Sequence, residues 1–153
     1  MFLKNDPYII AEIGVNHENS IDNAKLMIDQ AKSAGASAVK FQTYKASKLA
    51  DAASPAYWDT SQEPTETQFA LFEKYDRFGA AEFAQLSIYC KEKGIDFIST
   101  PFDLEAVDFL DELMDVYKVA SSDLTNIPLL RKVGSKNKLV ILSTGASTIE
   151  EIR

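Results

Sequence analysis

The chain has one cysteine, Cys90, so no internal disulfide can staple it. Cys90 lies in a helix-like run with Phe83, Leu86 and Ser87, where a small buried thiol is the simplest reading, and this sparing use of cysteine suits a cytoplasmic protein. There is also one histidine, His17. Catalytic metal sites ordinarily draw on several protein ligands, so no complete metal site is visible, and a lone histidine near a strand end is more often a hydrogen-bonded structural residue than a ligand. No stretch approaches the roughly 18 apolar residues of a membrane-spanning helix. The opening, Met1 to Asp6, lacks the basic, apolar and small-residue regions of a secretory signal. Positive charge is scarce as well: 16 Lys and Arg against 23 Asp and Glu give a net charge of −7, and no basic run with interleaved aromatics offsets it. Nucleic acid and anionic membrane are therefore excluded as expected partners.

What the sequence does contain is a repeated order. Short apolar runs rich in Val, Ile and Phe occur at Tyr8–Gly14, Ala38–Thr43, Asp96–Phe102, Tyr117–Ser121 and Leu139–Gly145, the near-continuous apolarity of strands buried on both faces. Helical spacing fills the intervals. Ser20 is placed to cap a helix presenting Ile21, Ala24, Met27, Ile28 and Ala31, with Gly35 at its end. Thr65 with Gln68 forms a capping-box pattern, Ala80–Lys93 stops at Gly94, Asp103 precedes a helix carrying Ala106, Val107, Leu110 and Met114, and about two helical turns are expected after Pro128. Strand then helix in one repeated order predicts a single parallel α/β domain over residues 1–153, either a doubly wound sheet or part of a barrel. At 153 residues the chain is well below the roughly 250 of a complete (β/α)8 barrel. The long segment Tyr44–Pro64 reads as a loop over the mouth, with Tyr57 and Trp58 as aromatic anchors.

Polar residues gather at the carboxyl end of each expected strand: Glu12, Asn16 and His17; Lys40 and Gln42; Ser99 and Thr100; Lys118, Ser121 and Asp123; Ser143 and Thr144. This favours a barrel, whose site is assembled from many strand ends, over an open sheet with one switch point. Lys40 and Gln42 are two apart and share a face, opposite Val39 and Phe41. Lys40 is either a lysine snorkelling from a sheet edge or half of a clamp with Lys118 for a ligand bearing phosphate and carboxylate. Lys118 and Ser121 are three apart, so the strand must end or bend between them if both line one pocket. Glu12, ending an apolar strand, is a buried acceptor or a substrate-facing acid. No nucleophile elbow and no Gly-Lys-Ser/Thr phosphate loop occurs.

At these residues the sequence resembles the sialic acid synthase family, which comprises N-acetylneuraminate synthases and their pseudaminic acid, legionaminic acid and spore-coat polysaccharide relatives. The stretches that carry the resemblance are Ala11-Glu12-Ile13-Gly14-Val15-Asn16-His17-Glu18, Val39-Lys40-Phe41-Gln42-Thr43, Phe97-Ile98-Ser99-Thr100-Pro101-Phe102, Tyr117-Lys118-Val119-Ala120-Ser121 and Leu142-Ser143-Thr144-Gly145, in family order. The resemblance implies the N-terminal portion of a (β/α)8 TIM barrel, about five parallel strands with intervening helices. It implies a transferase that condenses phosphoenolpyruvate with an N-acetylated aldose such as N-acetylmannosamine, giving a nonulosonate and phosphate. Lys40, Thr100, Lys118, Ser121 and Ser143 would bind phosphate and carboxylate, with Gln42 supporting them. Glu12 would bind sugar hydroxyls, and Asp123 would handle protons or water near the reacting carbons. A divalent Mn or Mg is implied for the full-length enzyme, with ligands outside this chain.

Two positions depart from the family pattern. Ser121-Ser122-Asp123 has an acid one methylene shorter than the usual Glu, and Asn19 stands where glycine is common, a place Asn tolerates because it visits the left-handed region. The later strands, a carboxyl-terminal antifreeze-like domain and the homodimer usual for the full-length protein are further expectations of the family. A half-barrel should leave open strand edges and an uncovered apolar face, and by itself should be inactive and prone to self-association, or be a piece of a longer protein. The alternatives are another phosphoenolpyruvate-condensing synthase, making an eight- or seven-carbon sugar acid, and a truncated non-catalytic anion-binding or assembly module.

Overall fold

A computed structural model describes residues 7–145 and 147–153, so the opening Met1 to Asp6, read above for targeting, lies outside the described residues. The described residues form five strands: β1 (Ile10–Gly14), β2 (Ala38–Thr43), β3 (Asp96–Pro101), β4 (Val116–Val119) and β5 (Leu139–Leu142), each inside or overlapping an expected apolar run. β1 pairs in parallel with β2, β2 with β3, and β4 with β5, while β3 runs beside β4. Spatial order thus follows chain order without a reversal. A doubly wound sheet must reverse to create its switch point, so the topology is that of the front of a barrel.

The helices follow their start signals, but the one expected to carry Met114 ends at Leu110, and Met114 lies in the connection to β4. α1 (Ile21–Ser33) begins where the Ser20 hydroxyl accepts from the Asn23 amide at 3.2 Å, and Gly35 follows its end at φ +86°. α2 (Ala46–Leu49) is a single turn inside the segment expected to be irregular throughout. α3 (Gln68–Glu73) corrects the expected capping box. Thr67, held extended by its bridge to Pro55, is the residue next to the helix and accepts from the Ala70 amide at 3.1 Å, whereas Thr65 donates its hydroxyl to Glu63. α4 (Ala80–Lys93) ends at left-handed Gly94, and α5 (Leu104–Leu110) starts at Asp103, whose Oδ1 accepts from the Glu105 and Ala106 amides at 2.9 Å each. α6 (Ile127–Gly134) carries Pro128 in its first turn and is capped by Asn126, and α7 (Ile149–Ile152) is capped by Thr148.

The strands divide two environments. Val39 and Phe41 of β2 point outward and are wholly buried with Ile28 of α1, Phe83 and Leu86 of α4 and Leu110 of α5. Burying each such side chain is worth about 1.5–3 kcal/mol, so this layer holds the helices to the strands. The inner face has a small apolar cluster near the amino ends of the strands, Ala38, Ile98 and Val116 with Tyr8, Ile10 and Ile141 packed on it. At the far edge Leu139, Val140 and Leu142 of β5 are exposed, the open apolar edge expected of a partial barrel.

Loss of a cap that accepts two amides should cost about 1–2 kcal/mol. Asp103→Ala is therefore expected to lower the urea unfolding midpoint by that equivalent with an unchanged slope, and an unchanged midpoint would show that the cap contributes nothing.

Candidate functional site

One step above the inner apolar cluster, toward the carboxyl ends, the same face turns polar. The ladder aligns Glu12 with Lys40 and Gln42 with Thr100, and Lys118 lies two residues beyond Val116 of the inner cluster. Because side chains alternate, Glu12, Lys40, Gln42, Thr100 and Lys118 occupy one face. The Lys40 ammonium forms an ion pair with Glu12 Oε2 and lies 3.5 Å from the Thr100 hydroxyl. The Lys118 ammonium donates to the Val119 carbonyl at 2.5 Å. Burial holds the Lys118 amine below the usual lysine range, the positive charge of Lys40 lowers it further, and Glu12 acts in the opposite direction. Lys118 thus feels both Lys40 and Glu12, as it must if the two lysines approach one another inside the barrel.

Local irregularities complete the arrangement. A bulge between Glu12 and Gly14 pairs Gly14 with Phe41 in place of the residue that regular register would supply. Gly14 has φ +59°, and a Cβ there would stand 3.3 Å from Glu12 Oε1, so the glycine serves both the turn and the room beside the carboxylate. β4 ends at Val119, before Ser121–Asp123 form one 3-10 turn, which supplies the break required between Lys118 and Ser121. Asp123 Oδ1 accepts from the Asn126 amide side chain at 3.0 Å, while Oδ2 is buried with no hydrogen-bond partner among the described residues. An orphaned buried carboxylate oxygen marks a place where a donor from a ligand or water fits. The Ser143 amide donates to the Val119 carbonyl at 3.1 Å, the carbonyl that also receives Lys118, so the ends of β4 and β5 meet beside the lysine.

Ser99 does not join this group. It is wholly buried on the helix side, its hydroxyl 2.7 Å from that of Thr43 and its amide donating to the Met114 sulfur, because strand alternation sends it outward and Thr100 inward. Asn16 and Thr144 are exposed. Of the expected aromatic anchors, Trp58 is half-buried and donates to the Glu63 carbonyl at 3.0 Å, whereas Tyr57 is 75% exposed and meets the Trp58 ring edge-on at 5.1 Å. A hollow of about 440 Å³ lies at the amino ends of β3 and β4, beside Asp96, Glu112 and Asp115, at the opposite end of the strands from Lys40 and Lys118.

His17 is 1% exposed, its ring stacked on Phe78 at 4.2 Å, and its Nδ1 accepts from the Asn19 amide at 3.1 Å. Its Nε2 is buried with no partner among the described residues. Burial pushes its pKa down to about 4. Asn19 adopts φ +60°, as its place in the motif required, and its side chain also grips the segment before α4, donating to the Lys74 carbonyl at 2.6 Å and accepting from the Arg77 amide at 3.1 Å. Lys45 reaches the same segment through the Asp76 and Phe78 carbonyls. Neither Asn19's clip nor Lys45's was legible in the sequence, since both partners are remote backbone groups. Among the described residues no group of three or more His, Cys, Asp or Glu is placed to hold a metal. Cys90 is buried with its thiol pushed up to about 12, the mark of an inert cysteine.

A family model described as the NeuB family matches residues 27–153. The chain is 39% identical over 147 residues to the N,N'-diacetyllegionaminic acid synthase of Campylobacter jejuni, covering 94% of this chain and 44% of that protein. It is 34% identical over 146 residues to the spore coat polysaccharide biosynthesis protein SpsE of Bacillus subtilis, covering 95% of this chain and 39% of that one. Among solved structures, the N-acetylneuraminic acid synthetase of Leptospira borgpetersenii, determined in complex with citrate, superposes with a TM-score of 0.82 at 34% identity, covering 97% of this chain and 48% of that one. The chain thus spans under half the length of these relatives.

His17 gives a pH signature. A native pKa of about 4 against an unfolded value near 6.5 means that the folded chain favours neutral imidazole. The stability linked to His17 is complete above pH 6.5 and is lost as pH falls toward 4, a change of about 3 kcal/mol. Urea unfolding at pH 7 and pH 4 should show the wild type losing about that much more than His17→Gln, and equal losses would sink the idea.

Proposed function

The chain belongs to the NeuB family, and from that membership we propose that it carries the phosphoenolpyruvate half-site of a sialic-acid-type synthase. The reaction joins phosphoenolpyruvate to an N-acetylated aldose such as N-acetylmannosamine, giving a nonulosonate and inorganic phosphate. The observation that carries this reading is the convergence of Lys40 and Lys118 on one inner face with Thr100 in reach. Two ammonium groups and a hydroxyl suit a small molecule that bears both phosphate and carboxylate.

In this reading Lys40, Lys118, Thr100, Ser121 and Ser143 hold the two anionic groups, and Gln42, on the same face as Lys40, supports them. The π pair of phosphoenolpyruvate forms a bond from its vinyl carbon to the aldehyde carbon, leaving positive charge on the carbon that bears the phosphate ester, while the aldehyde C=O π bond breaks onto its oxygen, which takes up a proton to become a hydroxyl. Water adds to that carbon, and the carbon–oxygen bond to phosphate then breaks. Asp123, with one oxygen fixed by Asn126 and the other without a donor among the described residues, is suited to take the proton of that water. Its side chain is one methylene shorter than a glutamate, so an intervening water relays the proton. Glu12, at the rim, accepts from sugar hydroxyls. A divalent Mn or Mg, held by residues outside this chain, would supply polarisation of the aldehyde when bound.

The isolated chain is proposed to bind phosphoenolpyruvate without turning it over, and the whole protein to work as a homodimer in the cytoplasm. Calorimetric titration should show saturable phosphoenolpyruvate binding, weakened at least about tenfold by Lys40→Met and by Lys118→Met. Given phosphoenolpyruvate, N-acetylmannosamine and Mn together, the chain should release no phosphate. Absence of saturable binding, or binding indifferent to both substitutions, would overturn the half-site. Aldose-dependent phosphate release would overturn the inactivity.

A further inference from the structure

We infer that Glu12 is a resident counter-ion, holding Lys40 in the empty site and giving way when an anion arrives. This rests on the proposed half-site, and it concerns what occupies that site before the ligand does. Among the described residues, the ion-pair contact within the polar layer is between Glu12 and Lys40. Lys118 is left to a backbone carbonyl.

The two partners differ in freedom. Lys40 has 13% of its side chain exposed and keeps Thr100 as a second contact, so it is built into the wall. Glu12 has 49% of its side chain exposed and has beside its Oε1 the space left by the absent side chain of Gly14. An incoming phosphate or carboxylate replaces the Glu12 carboxylate as the partner of Lys40, and the more exposed member of the pair is the one displaced. The exchange is not free, because the ligand must break an existing ion pair and then lie near a like charge. The wild-type site therefore binds its anion less tightly than two lysines alone would.

The test is phosphoenolpyruvate titration of the wild type, Glu12→Gln and Lys40→Gln, and of the double variant. Neutralising Glu12 should tighten binding roughly tenfold, an unusual sign for removal of a charged group at a binding site. In the Lys40→Gln background the same change should have an effect of less than about twofold, since no ion pair remains to break. Glu12→Asp, which shortens the side chain without removing its charge, gives a smaller gain of the same sign and covers the case in which Glu12→Gln fails to fold. Wild-type binding with no gain in either Glu12 variant overturns this inference and leaves the half-site standing. A gain that persists in full without Lys40 also overturns it, by assigning the effect to general repulsion. No binding by any variant overturns the half-site and this inference with it.

Discussion

Val39 and Phe41 are wholly buried between β2 and the helices, and because side chains alternate along a strand, that burial turns Lys40 and Gln42 to the inside. A slip of one residue would expose the aromatic ring and drive the ammonium among Phe83, Leu86 and Phe97, so the register is enforced by several kcal/mol from both directions. The same parity places Thr100 inward and Ser99 outward on β3, and Lys118 inward on β4 with Val119 buried. The polar layer is thus a by-product of the apolar packing behind it. That packing also keeps Lys40 close enough to Lys118 to make the Lys118 amine harder to protonate.

Charge at the mouth is arranged against the background of an acidic chain. A net charge of −7 would repel a polyanionic ligand at long range, so capture must come from short-range groups in a partly desolvated setting. Lys118, with an amine depressed by burial and by its neighbour, has the most to gain from an arriving anion. Asp123 represents the complementary case, a carboxylate oxygen with no donor of its own among the described residues, set on a short turn that β4 could not have provided by continuing straight.

The architecture and the inner residues were legible in the sequence because both depend on local period and end signals. Ser20, Gly94 and Asp103 act at the positions their residue types announced, and the two-residue spacing of Lys40 and Gln42 was enough to assign their face. The choice between barrel and open sheet needed the strand order, which no local signal encodes. The misplaced cap at Thr65 arose because Thr65 and Thr67 present the same chemistry two residues apart, and a bridge to Pro55, remote in sequence, decides between them. Ser99 was grouped with Thr100 by adjacency, although adjacent strand residues face opposite ways. Asn19 was read for its backbone, and its side-chain grip on Lys74 and Arg77 depends on a segment more than fifty residues away.

The lobe between α2 and α3 is closed at its own base. Pro55 bridges Thr67, the Gln68 amide donates to the Ser54 carbonyl, and its side chain donates to the Pro55 carbonyl. Inside, Trp58 fastens on Glu63, and Lys74, just past α3, reaches back to the same residue. With the neck stitched in this way, the span that the barrel must accommodate stays the same whatever the length of the enclosed loop. Such a cassette is free to diversify in sequence, or to be exchanged for another, without disturbing the spacing of Lys40 and Thr100.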